Sequence, residues 1–336
     1  MNFSFWNVRG LNKSPKQHLA KCHIMQYHLS FFSLLETKIS DTKVSVAANK
    51  IAKNWSWFSN ANSSTKARIL TLWDPDILDI QVLYYSPQQV TCSVNSKDGN
   101  FNSILSTVYG FNHQEARKSL WLELTQIKQA IGNQAWLLCG DFNVMISNEE
   151  KLGGTLLTDN DTNDFCRFIE DCQLSHLKTI DCFYTWNNKQ DSDSRVWCRL
   201  DRALVNDLWI SKYNASHVEY MLPSFSDHSP ALVYVYEDKV QGKKPFKFFK
   251  MWIKHDEFLP TVKAIWETPV RGCKMFSVHS KLKKLKESLK GLNKRHFSNI
   301  SEQVLRAKTE VDEVQMKLQS DPLNSVLIRK EKCSKG

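Results

Sequence analysis

The chain has 336 residues, 42% hydrophobic and 24% charged, with a net charge of +10. This is the composition of a soluble globular protein with room for one large domain and an appendage, or for two domains. No apolar run approaches the roughly 18 residues needed to cross a bilayer, and no basic start followed by an apolar core marks a secretory signal. The nine cysteines include no Cys-x-x-Cys pair, so they read as reduced thiols of an intracellular protein and not as a disulfide frame or a zinc site.

From residue 1 to about 237, short strand-like runs alternate with turns and single helices. Phe3–Val8 opens the series, followed by Phe31–Lys38, Arg68–Trp73, Ile77–Tyr85, Val90–Val94, Phe101–Tyr109 and Ala135–Asn143. Asp74-Pro75-Asp76, Ser86-Pro87, Lys97-Asp98-Gly99-Asn100 and Gly153-Gly154 supply turn signals. Leu120, Trp121, Leu124, Ile127 and Ile131 recur three and four apart, which predicts an amphipathic helix over Glu115–Ile131. A second helix is expected over Asp161–Cys172, with Phe165, Phe168 and Ile169 on one face and Asp161 or Thr162 as cap. Trp55, Trp57, Phe58 and Trp73 read as core. His18, His23 and His28 share no face with a cysteine at ligand spacing in this reading. Antiparallel-looking strands interrupted by single helices predict two sheets packed together with helices outside.

The composition changes near Glu237. Residues 1–240 carry 23 Lys and Arg against 25 Asp and Glu, so the rest of the chain holds 22 against 10. The basic excess lies in the last hundred residues, where it serves either as a polyanion-binding surface, such as one for RNA or DNA, or as a solvated helix face. A basic, aromatic connector is expected over 238–273, including Lys244-Pro245-Phe246-Lys247-Phe248. A helical tail follows over 274–336. Leu282, Leu285, Leu289 and Leu292, then Val304, Ala307, Val311, Val314 and Leu318, follow a seam at heptad-like spacing, with a break around Phe297–Ser301. Two short pieces favour a helical hairpin over a long coiled coil.

Several polar residues sit at the ends of apolar runs, where desolvation without a partner is costly. Glu36 and Asp227 are oxygen donors suited to Mg²⁺, and Asn7 can serve as a neutral one. In Gly140-Asp141-Phe142-Asn143, alternation along an extended segment points Asp141 and Asn143 the same way, so one can activate a water while the other holds it or donates to a phosphoryl oxygen. His228 can donate to a phosphate, with Asp201 fixing its tautomer and its charge. Tyr109 adds a hydroxyl donor. These parts describe in-line hydrolysis of a phosphoester with a metal, a base and donors to the developing charge.

The ordered set Trp6-Asn7-Val8-Arg9-Gly10-Leu11-Asn12, Leu35-Glu36-Thr37-Lys38, Gly140-Asp141-Phe142-Asn143, Thr185-Trp186, Arg199-Leu200-Asp201-Arg202 and Ser226-Asp227-His228-Ser229-Pro230 resembles the endonuclease/exonuclease/phosphatase superfamily, the relatives of DNase I. More narrowly it resembles the endonuclease domain of plant LINE-type retrotransposon polyproteins, cut short before the reverse transcriptase, since no polymerase residues follow. The resemblance covers residues 1–237. It implies an α/β (α+β) fold, a four-layer α/β/β/α sandwich of two mostly antiparallel sheets, followed by a basic helical C-terminal extension. It implies a Mg²⁺-dependent (Mn²⁺ as substitute) DNA endonuclease that leaves a 3′-hydroxyl and acts in the nucleus. Asn7, Glu36 and Asp227 fall on metal-side positions. Asp141, Asn143, Tyr109, Asp201 and His228 fall on catalytic ones. Apurinic endonucleases of the superfamily carry an acidic residue where this chain has Arg9, and inositol phosphatases follow the Gly-Asp-x-Asn turn with Tyr-Arg where this chain has Val144-Met145. A superfamily phosphatase, an apurinic endonuclease and a catalytically silent truncated product are the alternative readings.

Overall fold

The computed structural model of the protein describes residues 1–61, 66–236, 248, 250–270, 274–292 and 298–333. Two compact units emerge: Met1–Asp238 with Gln315–Cys333, and Lys239–Val314 with Ser334–Gly336. The tail expected over 274–336 is thus divided between them.

The first unit is built on two large mixed sheets. The seven-stranded sheet runs in the order Thr179–Asp181, His217–Tyr220, Ala231–Tyr234, Asn2–Asn7, Leu29–Ile39, Ala67–Trp73, Ser56–Ser59. The six-stranded sheet runs Leu174–His176, Asp201–Asn206, Trp136–Asp141, Asn102–Tyr109, Gln89–Ser96, Leu78–Tyr85. Most neighbours are antiparallel, but the central pairs Asn2–Asn7/Leu29–Ile39 and Asn102–Tyr109/Trp136–Asp141 and the edge pair Thr179–Asp181/His217–Tyr220 are parallel. A small antiparallel sheet joins Trp186–Asn187, Trp197–Cys198 and Lys151–Leu152.

Strand alternation builds the layers. Phe3, Phe5, Phe31, Leu35 and Ile69 of the first sheet meet Val90, Cys92, Leu105, Leu137 and Val205 of the second in one buried core. The opposite face of the first sheet (Trp6, Phe32, Leu34, Leu70, Leu72) packs on Ala20, Ile24, Val44, Ala47, Ala48 and Ile51 of the helices Ser14–Tyr27 and Asp41–Ile51. The outer face of the second sheet packs on Leu120, Leu124, Phe165 and Phe168 of the helices Gln114–Ile131 and Asp159–Asp171. The result is the four-layer α/β/β/α sandwich. Each fully buried large apolar side chain contributes roughly 1.5–3 kcal/mol to holding it.

Four local expectations are corrected. The helix expected from Asp161 begins at Asp159, and its cap is Thr158, whose backbone N–H and hydroxyl both donate to the Asp161 carboxylate, at 2.8 and 2.7 Å. Trp57 is 38% exposed and not core, because it lies on the edge strand Ser56–Ser59. His18 and Cys22, four apart on a helix, do share a face, with Nε2 and Sγ 3.6 Å apart. Asn143 does not continue the extended strand: the strand ends at Asp141, and Asn143 takes a left-handed φ of 51°, so strand alternation does not set its direction.

In the second unit, Trp252, Leu289 and Leu292 are buried together, with Phe258 and Leu285 against them, and the helix Lys274–Leu292 packs on Phe258–Glu267. Leu282 of the expected seam is 50% exposed. The connector residues Lys244–Lys247, and Phe297 at the expected break, lie outside the described residues. The seven cysteines described as free include buried Cys92, Cys139, Cys172, Cys182 and Cys198. Among the described residues no helix is long and apolar enough to cross a membrane.

Candidate active site

The polar strand ends converge because of register. In the first sheet Asn7 pairs in parallel register with Leu35, so Glu36 lies one residue beyond, at the same end. In the second sheet Asp141 pairs with Tyr109 on one side and with Asp201 on the other. Asn7 Nδ2 donates to Asp141 Oδ2 at 2.8 Å and so ties the two sheets together at this end. Gly140 makes the close approach possible. Its φ is +142°, and a Cβ there would sit 2.0 Å from the Val108 carbonyl oxygen.

His228 arrives on the loop before strand Ala231–Tyr234 and is held on several sides. Its carbonyl accepts from Trp6 Nε1 at 3.0 Å, and its ring Nδ1 lies 2.9 Å from Asp201 Oδ2. Its Nε2 lies 3.7 Å from Asp141 Oδ2. Asp141 and Asp201 are both fully buried, and His228 is 4% exposed. The Thr185 hydroxyl accepts from the backbone N–H groups of Leu200 (3.0 Å) and Asp201 (2.9 Å), which fixes where the second carboxylate enters.

Electrostatics separate the protonation states of this trio. Burial pushes the Asp141 carboxyl up, to about 6, against the pull of His228. Burial alone would lower the His228 imidazole, but Asp201 and Asp141 outweigh it and raise it to about 9. Near neutrality the site therefore holds an ionised Asp141 beside a cationic His228. Tyr109 is pushed well above the usual phenol range by burial and by the Glu36 and Asp141 carboxylates, so its hydroxyl keeps its proton.

Asn143 bends back: its Nδ2 donates to the Gly110 carbonyl at 2.8 Å, and its backbone N–H donates to Asp141 Oδ1 at 3.0 Å. Asn7 Oδ1 accepts from the Arg9 backbone N–H at 3.0 Å. Asp227 Oδ2 accepts from Trp186 Nε1 at 2.8 Å and is paired with the Arg9 guanidinium. Glu36 is paired with Lys38 at 2.7 Å. Lys16 Nζ donates to the carbonyls of Val8 (2.6 Å) and Arg9 (3.2 Å). Burial lowers Lys16, while Asp227 and Glu36 push it back up, which places all three in one electrostatic neighbourhood. All eight side chains singled out in the sequence thus lie at one end of the sandwich. Thr185 and Trp186, a motif pair in the sequence without an assigned task, and Lys16, which no sequence motif marks, hold parts of it.

A metal has two candidate places. Asn7, Glu36 and Asp227 supply hard oxygen donors of the kind and number Mg²⁺ takes with water and substrate oxygens. Asp141, Asp201 and His228 offer ligand atoms within 4.8 Å of one another, the one such group of three among the described residues. This buried trio is able to hold a metal ion. Its histidine, however, would have to be neutral to ligate, and its carboxylate neighbours keep it protonated.

The fold is DNase I-like. The endonuclease domain of TRAS1, a telomere-specific non-LTR retrotransposon, superposes with a TM-score of 0.55 at 12% identity, over 71% of this chain and 99% of that one. The AP endonuclease LMAP from Leishmania major gives 0.54 at 13%, over 69% and 86%. The mannosyl-6-phosphatase Bt3783 from Bacteroides thetaiotaomicron gives 0.50 at 13%, over 70% and 98%. No family model and no curated protein matches the sequence.

Proposed function

We propose that the protein is a divalent-metal-dependent phosphodiesterase, and most specifically a DNA endonuclease that nicks one strand and leaves a 3′-hydroxyl. The observation that carries this reading is the buried Asp201–His228–Asp141 array, with the imidazole Nδ1 2.9 Å from Asp201 and Nε2 3.7 Å from Asp141. Asp141 accepts the proton of a water that Asn143 holds in place as that water attacks phosphorus; the P–O3′ bond breaks, and the departing 3′-oxygen takes a proton from solvent to become the 3′-hydroxyl. His228, kept charged and oriented by Asp201, donates to the phosphoryl oxygen on which negative charge grows. The Tyr109 hydroxyl is a second donor on the Glu36 side. A divalent ion held by Glu36 and Asn7, with Asp227 on the same side, supplies charge neutralisation at the phosphate when bound. A retrotransposon endonuclease domain and an AP endonuclease among the structural neighbours support a nucleic-acid substrate. The basic excess of residues 241–336 suits contact with DNA or RNA.

The test is turnover by the full chain on supercoiled DNA and on a panel of phosphomonoesters, each with and without Mg²⁺. Nicking with little monoester release supports the nuclease. Monoester turnover without nicking makes the protein a phosphatase of the same fold. Inertness on both substrates overturns the reading.

A further inference from the structure

Both carboxylates on the metal side already carry a cation from the chain itself. Glu36 holds Lys38 at 2.7 Å, and Asp227 holds Arg9. The second pairing has a built geometry. Arg9 lies two residues beyond Asn7 in a left-handed conformation, φ 44°, and its backbone N–H is fastened to Asn7 Oδ1 at 3.0 Å. That turn sends the guanidinium to the same Asp227 oxygen that Trp186 Nε1 engages at 2.8 Å. The other oxygen, Oδ1, has the Ser226 hydroxyl at 3.3 Å. Lys16, fastened to the Arg9 carbonyl, adds a further positive charge within electrostatic reach of Asp227 and Glu36.

We propose that Arg9 is a resident competitor for the divalent ion: its guanidinium occupies Asp227, confines the ion to Glu36 and Asn7, and sets how tightly the site takes metal. The inference rests on the metal-dependent reading above and adds its stoichiometry, one divalent ion with a tethered cation in place of a second. A divalent ion reaching the Asp227 oxygen must displace a charge-assisted hydrogen bond and approach a fixed positive charge. Because the Arg9 side chain is 56% exposed, it can leave the carboxylate without unfolding its surroundings. Its removal therefore changes ion binding and not the core.

The experiment measures Mn²⁺ binding to the full chain by calorimetry and by the paramagnetic resonance of free Mn²⁺, with no substrate present. The parent should bind one ion, and Glu36→Gln should weaken it at least about tenfold. Arg9→Gln should tighten binding on the order of tenfold or open a second site, with thermal unfolding in the absence of metal nearly unchanged. The gain should vanish in Arg9→Gln/Asp227→Asn, because it acts through that carboxylate. Unchanged or weaker binding in Arg9→Gln, or a gain that survives loss of Asp227, overturns the inference while leaving the metal-dependent reading intact. Absence of Mn²⁺ binding in both parent and Arg9→Gln overturns both.

Discussion

Replacing Asp201 by Asn preserves the shape of the site and removes the charge that keeps His228 protonated. Burial alone lowers the imidazole, and Asp201 is the largest of the carboxylate contributions raising it to about 9. The rise from 6.5 corresponds to about 3 kcal/mol of proton affinity. Without the Asp201 charge the imidazole should fall to its ordinary value or below. At about pH 7.5 the cationic fraction then drops at least about tenfold, and misorientation of the ring brings the rate loss to on the order of 10²–10³. The parent should show a bell between about 6, where Asp141 ionises, and about 9, where His228 deprotonates. In Asp201→Asn the alkaline limb should move down by two units or more (about 3 kcal/mol), so the ratio of parent to variant rate grows as pH rises. Initial nicking rates across that range decide it. A ratio constant with pH would mean that Asp201 acts only through shape, and would refute the charge argument. Stability follows the same sign. Both groups have raised folded pKa values, so their contribution is complete below the unfolded values and is lost as pH rises through about 6 for Asp141 and about 9 for His228.

Glu150→Gln should cost about 3–5 kcal/mol in urea unfolding, because it leaves the fully buried Arg202 guanidinium without its bidentate partner. An effect below about 1 kcal/mol would place Arg202 in water. Glu331→Gln should destabilise the first unit by about 3 kcal/mol, since Glu331 meets the buried Arg195 at 2.5 Å and Lys189 at 2.9 Å; unchanged unfolding would detach residues 315–333 from that unit. Gly140→Ala should lower stability by more than about 3 kcal/mol or prevent folding, because the Cβ collides with the Val108 carbonyl. A soluble variant with parental melting would contradict the close approach of those two strands.

Much of the site was legible because it lies on strands. A carboxylate ending an apolar run, as in Leu137-Leu138-Cys139-Gly140-Asp141, stands out in sequence, and parallel or antiparallel register then aligns Asp141, Tyr109 and Asp201. The amphipathic helix Gln114–Ile131 shows its period for the same reason: its buried face is apolar. The helix Ser14–Tyr27 hides because Gln17 and His23 occupy its buried face. His23 is satisfied there by Ser4, 2.9 Å away and 19 residues earlier. The small sheet is built from two-residue strands, too short for any period to register. The pairings that trim the site are remote in the chain: Arg9 with Asp227, and Trp186 with Asp227. Local patterns carry no information about such partners. Strand alternation predicts an extended Asn143, but it turns left-handed, with its Nδ2 donating to the Gly110 carbonyl.

The most direct measurement is nicking of supercoiled plasmid by the full chain with Mg²⁺, comparing the parent with Asp141→Ala and with His228→Ala. The parent should convert plasmid to open circles bearing 3′-hydroxyl ends, and each variant should be slower by on the order of 10²–10⁴-fold. Variants that nick as fast as the parent would show that the buried carboxylate–imidazole array does not perform the chemistry.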